Sequence, residues 1–157
     1  APSESGRRTK VYAVTAAGRK QLAQQRASYE RFSRALAAIL KNEPDRKQMI
    51  DALKRAESPF TSAVSVFETA MAVAPISGSC ASANSEVVRF LDSSKIALVP
   101  LDESHLTELA LARDRYGKGS GHPAQLNLGD CVSYAVAKCA GTSILYKGDD
   151  FALTDLA

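Results

Sequence analysis

Three acidic residues stand at positions where a carboxylate needs an explanation. Glu68 interrupts an otherwise apolar helical stretch between Phe67 and Met71. Asp130 opens the first turn of a predicted helix with an apolar continuation, and Asp150 follows a predicted strand. Carboxylates gathered at one place repel one another unless a cation neutralises them. Ligand sets made of oxygen alone suit Mg²⁺ or Mn²⁺, and such ions can activate water to cleave a nucleic-acid strand.

Each of these carboxylates also has an ordinary structural explanation. Asp130 can cap its helix and interact with the positive end of the helix dipole. Asp149 and Asp150 can belong to a solvated turn, and Glu68 can lie at the edge of its helix face. The pattern of residues alone leaves both interpretations open.

Helices and short extended stretches alternate along the part of the chain that carries these acids. The pattern predicts helices over residues 45–56, from 62 to a close at Pro75 and Gly78, and over 85–91, 102–116 and 127–139. It predicts extended stretches at residues 60–61, 96–99 and 143–146. This alternation predicts an α/β fold with a parallel sheet between helices. Because parallel strands end at one edge of a sheet, the acids should gather there.

The first 41 residues differ in charge from the rest of the chain. They hold nine Lys/Arg against two Glu, whereas residues 42–157 hold 11 Lys/Arg against 15 Asp/Glu. Residues 10–15, KVYAVT, have the composition of a short strand. The stretch 19–41 lacks Gly and Pro, and we predict one long helix over residues 16–40. The charge split indicates a nucleic-acid-facing arm or a piece of different origin.

Length and composition are those of a single globular domain. The chain has 157 residues, of which 45% are hydrophobic and 24% charged. No apolar run approaches the ~20 residues of a membrane span, and no secretory signal opens the sequence. We therefore expect a cytoplasmic protein with no membrane partner.

Four segments resemble, in the right order and spacing, those of PIN-domain ribonucleases of the VapC toxin type. KNEPDR at residues 41–46 follows the first helix as it does in that family. The segments that carry the family's second, third and fourth acidic residues resemble TSAVSVFETAMAV at 61–73, RYGKGSGHPAQLNLGDCVSYAVAK at 115–138 and LYKGDDFALTDL at 145–156. The resemblance runs from about residue 35 to the C-terminus.

This resemblance implies a PIN-like fold and a set of site residues. It implies that Glu68, Asp130 and Asp150 are the catalytic, metal-binding carboxylates, with Asp149 as a further ligand and Asp155 as a second-tier candidate. The family cleaves RNA with Mg²⁺ (or Mn²⁺), so these ions are the implied cofactors. It also implies a small VapB-like antitoxin as inhibitor, and a homodimer is possible.

Basic residues near these segments are candidates for contacts with RNA phosphates. A glycine-rich loop at residues 117–121 does not have the spacing of a phosphate-binding P-loop. It is a flexible loop beside the expected site, or simply a solvated one. The RNA-binding candidates are Arg115, Lys118 and Lys147.

The chain departs from the family at its first strand. A complete member begins with a short strand ending in Asp-Thr-Ser, followed by a helix similar to ALAAIL at residues 35–40. Here the position of the first catalytic Asp falls on Phe32. We therefore expect the first strand to be absent or replaced, and ribonuclease activity to be impaired. The alternatives are a catalytically defective module that binds antitoxin or RNA, and a fused fragment of a DNA-binding regulator.

Residues 5–36 resemble the second half of a PadR-type winged-helix regulator. The resemblance lies in a wing-like strand followed by Thr15, Gly18 and Arg19, which open a long helix. The fragment has no recognition helix, so it should not read DNA bases by itself. We divide the chain into a basic N-terminal arm, residues 1–34, and a PIN-like domain, residues 35–157. An unusual but intact arm is the alternative to a fusion.

Overall fold

A computed structural model describes residues 34–156 of the chain. The helices are α1 (Arg34–Leu40), α2 (Arg46–Arg55), α3 (Ala63–Ser77), α4 (Cys80–Ser93), α5 (Leu106–Tyr116) and α6 (Leu128–Cys139). The strands are β1 (Phe60–Ser62) and β2 (Ala97–Val99), and two short 3-10 helices span Glu103–His105 and Phe151–Leu153. The predicted strand at 10–15, most of the predicted helix 16–40 and most of the PadR-like segment lie outside the described residues.

The two strands pair in parallel, as the alternating pattern predicts. Thr61 lies opposite Leu98 in the register, and α3 and α4 form the connection between the strands. A parallel connection of this kind needs a crossover of a dozen or more residues, which the two helices supply. The α/β fold class, with a parallel sheet flanked by helices, is confirmed.

Helix α3 carries Glu68, and its two ends are set by local chemistry. The Ser62 hydroxyl caps its start by accepting a hydrogen bond from the Ser65 backbone N–H at 3.2 Å. The helix ends at Gly78, whose φ of 82° is left-handed. The prediction that Pro75 helps to close the helix is wrong, because the helix continues to Ser77. Pro75 cannot donate a backbone hydrogen bond to the preceding turn, yet the helix runs two residues past it.

The predicted strand at residues 143–146 is also wrong, since these residues form no ladder. A strand exists by pairing, and among residues 34–156 the sheet consists of β1 and β2 alone. A cleft of about 720 Å³ is bordered by residues 60–62 on one side and 142–145 on another. We call it the β1 cleft. The cleft lies where a strand between these two segments would run.

The buried side chains of residues 34–156 form three clusters, the smallest of which joins α1 to α2. Val66, Val73 and Val87 lie in the cluster that joins α3 to α4. The second cluster surrounds α6, where Cys131 and Tyr134 are almost fully buried. Every residue of α6 from Gly129 to Ala137 is buried. Because α3 also packs on α6, the facing surfaces of these two helices are held rigidly by the core.

No single helix within residues 34–156 is both long enough and apolar enough to cross a membrane. Helices α3 and α4 meet the length and composition test only when taken together, and they are bent by 118°.

Candidate functional site

Two of the predicted site residues, Glu68 and Asp130, are brought together between α3 and α6. The Glu68 residue is 6% exposed and Asp130 is 1% exposed. The negative charge of Asp130 acts on Glu68 across the helix contact. The structure therefore contains a buried pair of carboxylates, contributed by segments 62 residues apart in the sequence.

The close approach of Glu68 to α6 depends on a glycine. A Cβ added to Gly129 would overlap the Glu68 carboxyl group, including both of its oxygens. Gly129 is helical and buried, so the absence of a side chain is needed for space and not for an unusual backbone conformation. This glycine lets the Glu68 carboxylate rest against the first turn of α6.

Asp130 is positioned by a reciprocal cap at the start of α6. Its Oδ2 accepts a hydrogen bond from the Asn127 backbone N–H at 2.8 Å, while its own N–H donates to Asn127 Oδ1 at 3.0 Å. This is a capping box, in which two otherwise unpaired backbone donors are satisfied. Asp130 thus caps its helix and also faces Glu68, so the two interpretations of this residue are compatible.

Two negative charges on the buried Glu68–Asp130 pair are electrostatically unfavourable. Burial, and after it the charge of Asp130, raises the pKa of Glu68 from 4.5 to about 7. The same two causes raise the pKa of the Cys131 thiol to about 11, which makes this thiol unreactive. Glu68 Oε2 is buried and has no hydrogen-bond partner among residues 34–156. An unsatisfied carboxylate oxygen beside a second carboxylate fits a hard divalent cation.

The other predicted acidic ligands are not assembled with this pair. Asp149 is exposed and Asp150 is half-buried, just before the 3-10 helix Phe151–Leu153. Within residues 34–156 no three His, Cys, Asp or Glu side chains are placed to hold one ion. The assignment of Asp149 and Asp150 as ligands stays a prediction.

Asp155, the second-tier candidate, has a structural role. It accepts hydrogen bonds from the Tyr134 hydroxyl at 2.7 Å and from Lys138 Nζ at 2.8 Å. The hydrogen bond from Lys138, and after it the one from Tyr134, lowers the pKa of Asp155. The same bond to Asp155 raises the pKa of Lys138. Asp155 therefore fastens the C-terminal segment to α6.

Lys147, a predicted RNA contact, is engaged in ion pairs. Its ammonium group donates to Glu43 and, at 3.0 Å, to Asp45. Pairing with Glu43, followed by Asp45, raises the pKa of Lys147. These contacts tie the turn after α1 to the segment that follows α6. RNA binding by Lys147 stays a prediction. The ion pairs with Glu43 and Asp45 make it less favourable, because they already neutralise the charge of Lys147.

Arg115 and Lys118 lie beside the segment that leads to the carboxylate pair. Arg115 is exposed in the last turn of α5, and Lys118 is half-buried. The Lys118 backbone N–H donates to the Leu126 carbonyl at 3.0 Å, and Leu126 N–H donates to the Tyr116 carbonyl at 2.8 Å. These bonds hold the glycine-rich loop next to Asn127. The backbone of Lys118 is thus held beside the segment that leads into α6.

A row of buried serines, which was not predicted from the sequence, adjoins the pair. Ser62 Oγ lies 3.0 Å from Ser65 Oγ, which lies 3.2 Å from Ser133 Oγ. Ser65 is three residues before Glu68, and Ser133 is three residues after Asp130. Positions three apart share a helix face, so this spacing could have revealed the row once both helices were predicted.

Known proteins match this region of the chain. The PIN domain family matches residues 33–156. A protein named Ribonuclease VapC from Mycolicibacterium smegmatis is 40% identical over 123 residues, covering 78% of this chain and 93% of that protein. Ribonuclease VapC30 of Mycobacterium tuberculosis is 35% identical over 123 residues, covering 78% and 92% respectively. Ribonuclease VapC42 of the same species is 47% identical over 70 residues, covering 45% and 53%.

The family match includes both helices that carry the carboxylate pair. It starts at residue 33, immediately before α1, and ends at the last described residue. The parallel sheet flanked by helices is the architecture expected from it. The chain belongs to the PIN domain family.

Proposed function

We propose that this chain is a metal-dependent endoribonuclease of the VapC type, acting in a toxin–antitoxin pair with a VapB-like antitoxin. The observation that carries the proposal is the buried Glu68–Asp130 pair, in which Glu68 Oε2 has no hydrogen-bond partner among the residues that the structure describes. The proposal is also supported by the relatives that align over most of the chain, which are named ribonucleases. RNA is accordingly the proposed substrate.

Glu68 and Asp130 would hold the metal ion, Mg²⁺ or Mn²⁺. When bound, such an ion lowers the pKa of water and offsets negative charge at a phosphate. Asp130 is oriented for this by its bond from the Asn127 N–H, and Gly129 leaves the space for Glu68. Asp149 and Asp150 would be further ligands of the ion.

Positive charge for the RNA backbone comes from the loop before α6. Arg115 and Lys118 lie on this loop and its preceding helix, and phosphate contacts of Lys and Arg supply most of the sequence-independent affinity for nucleic acids. The carboxylate pair and these cations would place a phosphodiester between opposite charges. Lys147 contributes less, because Glu43 and Asp45 already neutralise it.

We propose that the activity is impaired. In the resembling family the first acidic residue ends a strand, and here that position holds Phe32. Loss of one carboxylate from a shared ion site weakens ion binding and the positioning of the attacking water. The family match begins at residue 33, which supports the division into residues 1–34 and 35–157. A cytoplasmic location stays a prediction.

The test combines ion binding with cleavage. Titration calorimetry with Mn²⁺ on the full chain should show binding that Asp130→Asn abolishes, while asparagine retains an oxygen for the cap. Cleavage of a structured RNA should require Mg²⁺ or Mn²⁺ and cease with EDTA. Asp114→Asn, an exposed change on α5, is the matched control. Cleavage that survives EDTA, or ion binding that survives Asp130→Asn, would contradict the proposal.

A second candidate function is a binding module without catalysis. It is favoured by the two-stranded sheet and by the absence of a three-ligand group within residues 34–156. Such a module would bind antitoxin or RNA without cleaving. A third, a fused regulator fragment, draws on the basic charge of residues 1–41 and predicts affinity for duplex DNA. Metal-dependent cleavage of RNA supports the first function, binding of antitoxin or RNA without cleavage supports the second, and affinity for duplex DNA supports the third.

A further inference from the structure

The β1 cleft is too large to be a packing defect. Its volume of about 720 Å³ falls within the roughly 300–1,000 Å³ of ligand pockets. Voids inside a folded core seldom exceed the size of one water molecule. The cleft therefore has room for a segment of polypeptide.

The walls of the cleft include a strand edge. Within residues 34–156 strand β1 forms a ladder with β2 alone, and its three residues line the cleft. The opposite wall is formed by residues 142–145, which belong to no ladder within the described part of the chain. Unpaired strand edges are the templates to which another strand adds.

A buried hydroxyl group points to the same conclusion. Thr61 Oγ1 is buried and has no hydrogen-bond partner among residues 34–156, and Thr61 lines the cleft. Buried polar atoms are nearly always paired in folded proteins. The row Ser62–Ser65–Ser133 also lines the cleft. The lining is thus polar where an incoming backbone could bond and apolar at Ile96 and Val136.

We propose that the β1 cleft receives residues Lys10–Thr15 of a second copy of this chain, as a strand between β1 and residues 142–145. This segment, KVYAVT, has the β-branched and aromatic content of a strand. At about 3.3 Å per residue it is long enough to run beside the three residues of β1. The charge of the two parts is complementary, since residues 1–41 are basic and residues 42–157 are acidic.

We place the strand in a second copy because the predicted helix holds it too far from the cleft of its own chain. Ala35 and Leu36 of α1 themselves line the cleft, and 20 residues separate Val14 from Ala35. Over the helix predicted from the sequence, at 1.5 Å per residue, the strand would lie about 30 Å from its own cleft. Two such helices packed antiparallel bring the start of each next to the end of the other. Each copy then fills the other's cleft, and the exchange closes as a two-fold dimer.

Thiol cross-linking tests the arrangement directly in the full chain. Ala13→Cys and Ser143→Cys are combined, with Cys80 and Cys139 changed to serine so that only the buried Cys131 remains of the native thiols. A short bis-maleimide should yield a product of twice the 16.7 kDa chain mass. The control places the first cysteine at Ser3, outside the predicted strand, and should give much less product.

Each outcome of the cross-linking decides the proposal. A dimeric product from the double variant Ala13→Cys/Ser143→Cys, absent from either single variant, supports it. A link formed within one chain would mean that the arm folds back, and would overturn the exchange. Unlinked thiols in folded protein would overturn docking altogether.

Hydrogen exchange provides a second measurement that does not need introduced thiols. In the wild-type chain the backbone amides of residues 60–62 and 143–145 should exchange slowly. Tyr12→Pro removes a ladder donor and should speed their exchange on the order of tenfold, which corresponds to about 1.4 kcal/mol, with conversion to monomer. Ser3→Pro should change neither. Equal exchange in both variants would refute the docking, and this readout is independent of any ribonuclease activity.

Discussion

Replacing Glu68 by glutamine should stabilise the metal-free protein at neutral and alkaline pH. Folding raises the pKa of Glu68 from 4.5 to about 7, so the folded state binds this proton more tightly than the unfolded state. The free energy of unfolding must therefore fall as the pH rises from about 4.5 through about 7. At about 1.4 kcal/mol for each pH unit, the loss amounts to about 3 kcal/mol. Glutamine keeps the shape of the side chain without the charge.

The assay is urea denaturation in EDTA at several pH values between about 4.5 and 8. We expect Glu68→Gln and wild type to be similar near pH 4.5, and the variant to be more stable by up to about 3 kcal/mol at pH 8. Glu103→Gln, on the exposed 3-10 helix, makes the same chemical change and should have little effect at any pH.

Addition of Mn²⁺ should reverse the order of stability. Ion binding to the folded state stabilises wild type by about 4.1 kcal/mol at a concentration of about 1,000 Kd, which exceeds the deficit of about 3 kcal/mol, whereas the variant has lost a ligand and should gain little. If Glu68→Gln is no more stable than wild type at pH 8 in EDTA, the carboxylate pair is not under electrostatic strain. If Mn²⁺ stabilises both proteins equally, Glu68 is not a ligand.

Three further predictions concern the surroundings of the pair. Gly129→Ala should displace Glu68, lower the free energy of unfolding by about 1–3 kcal/mol and weaken Mn²⁺ binding in calorimetry. The control Leu128→Ala, on an exposed neighbour, should preserve Mn²⁺ binding. Unchanged ion affinity in Gly129→Ala would contradict the close approach of Glu68 to α6. Tyr134→Phe should lower the free energy of unfolding by about 1–2 kcal/mol, because it removes the hydrogen bond to Asp155, and should leave Mn²⁺ affinity unchanged. A large loss of ion binding would instead give Asp155 a role in the site. In salt titrations of RNA binding, Lys118→Met should reduce the slope of log affinity against log salt concentration by about one, while Lys147→Met should leave this slope unchanged. The reverse result would mean that the ion pairs of Lys147 with Glu43 and Asp45 open when RNA binds.

The sequence predicts the helices better than the sheet. Helix α6 is predicted to within one residue because Asn127 and its apolar stripe mark the start and the buried face. The strand expected at 143–146 rests on composition and does not form a ladder. Composition describes one segment, whereas a ladder also needs a neighbour, and no such neighbour lies beside these residues in the described chain.

The carboxylate pair shows the same limit at the level of side chains. Glu68 and Asp130 stand out because acids rarely occupy apolar helices without a reason, and their segments match a family motif. The role of Gly129 is not predicted, since a helical glycine gives no signal of what lies against it until the second helix is placed. The pairing of Lys147 with the turn after α1 escapes prediction for the same reason, because 102 residues separate Lys147 from Asp45.

The double role of Asp130 has an evolutionary consequence. Because its Oδ2 completes the cap of the most buried helix, selection for folding alone would retain an acid or amide there after catalysis is lost. Glu68 is the opposite case, since without an ion its charge only destabilises the folded state. In a lineage drifting away from nuclease activity, substitutions at Glu68 should therefore accumulate before substitutions at Asp130. The residue at position 68 is thus a better indicator than the residue at position 130 of whether such a domain binds an ion.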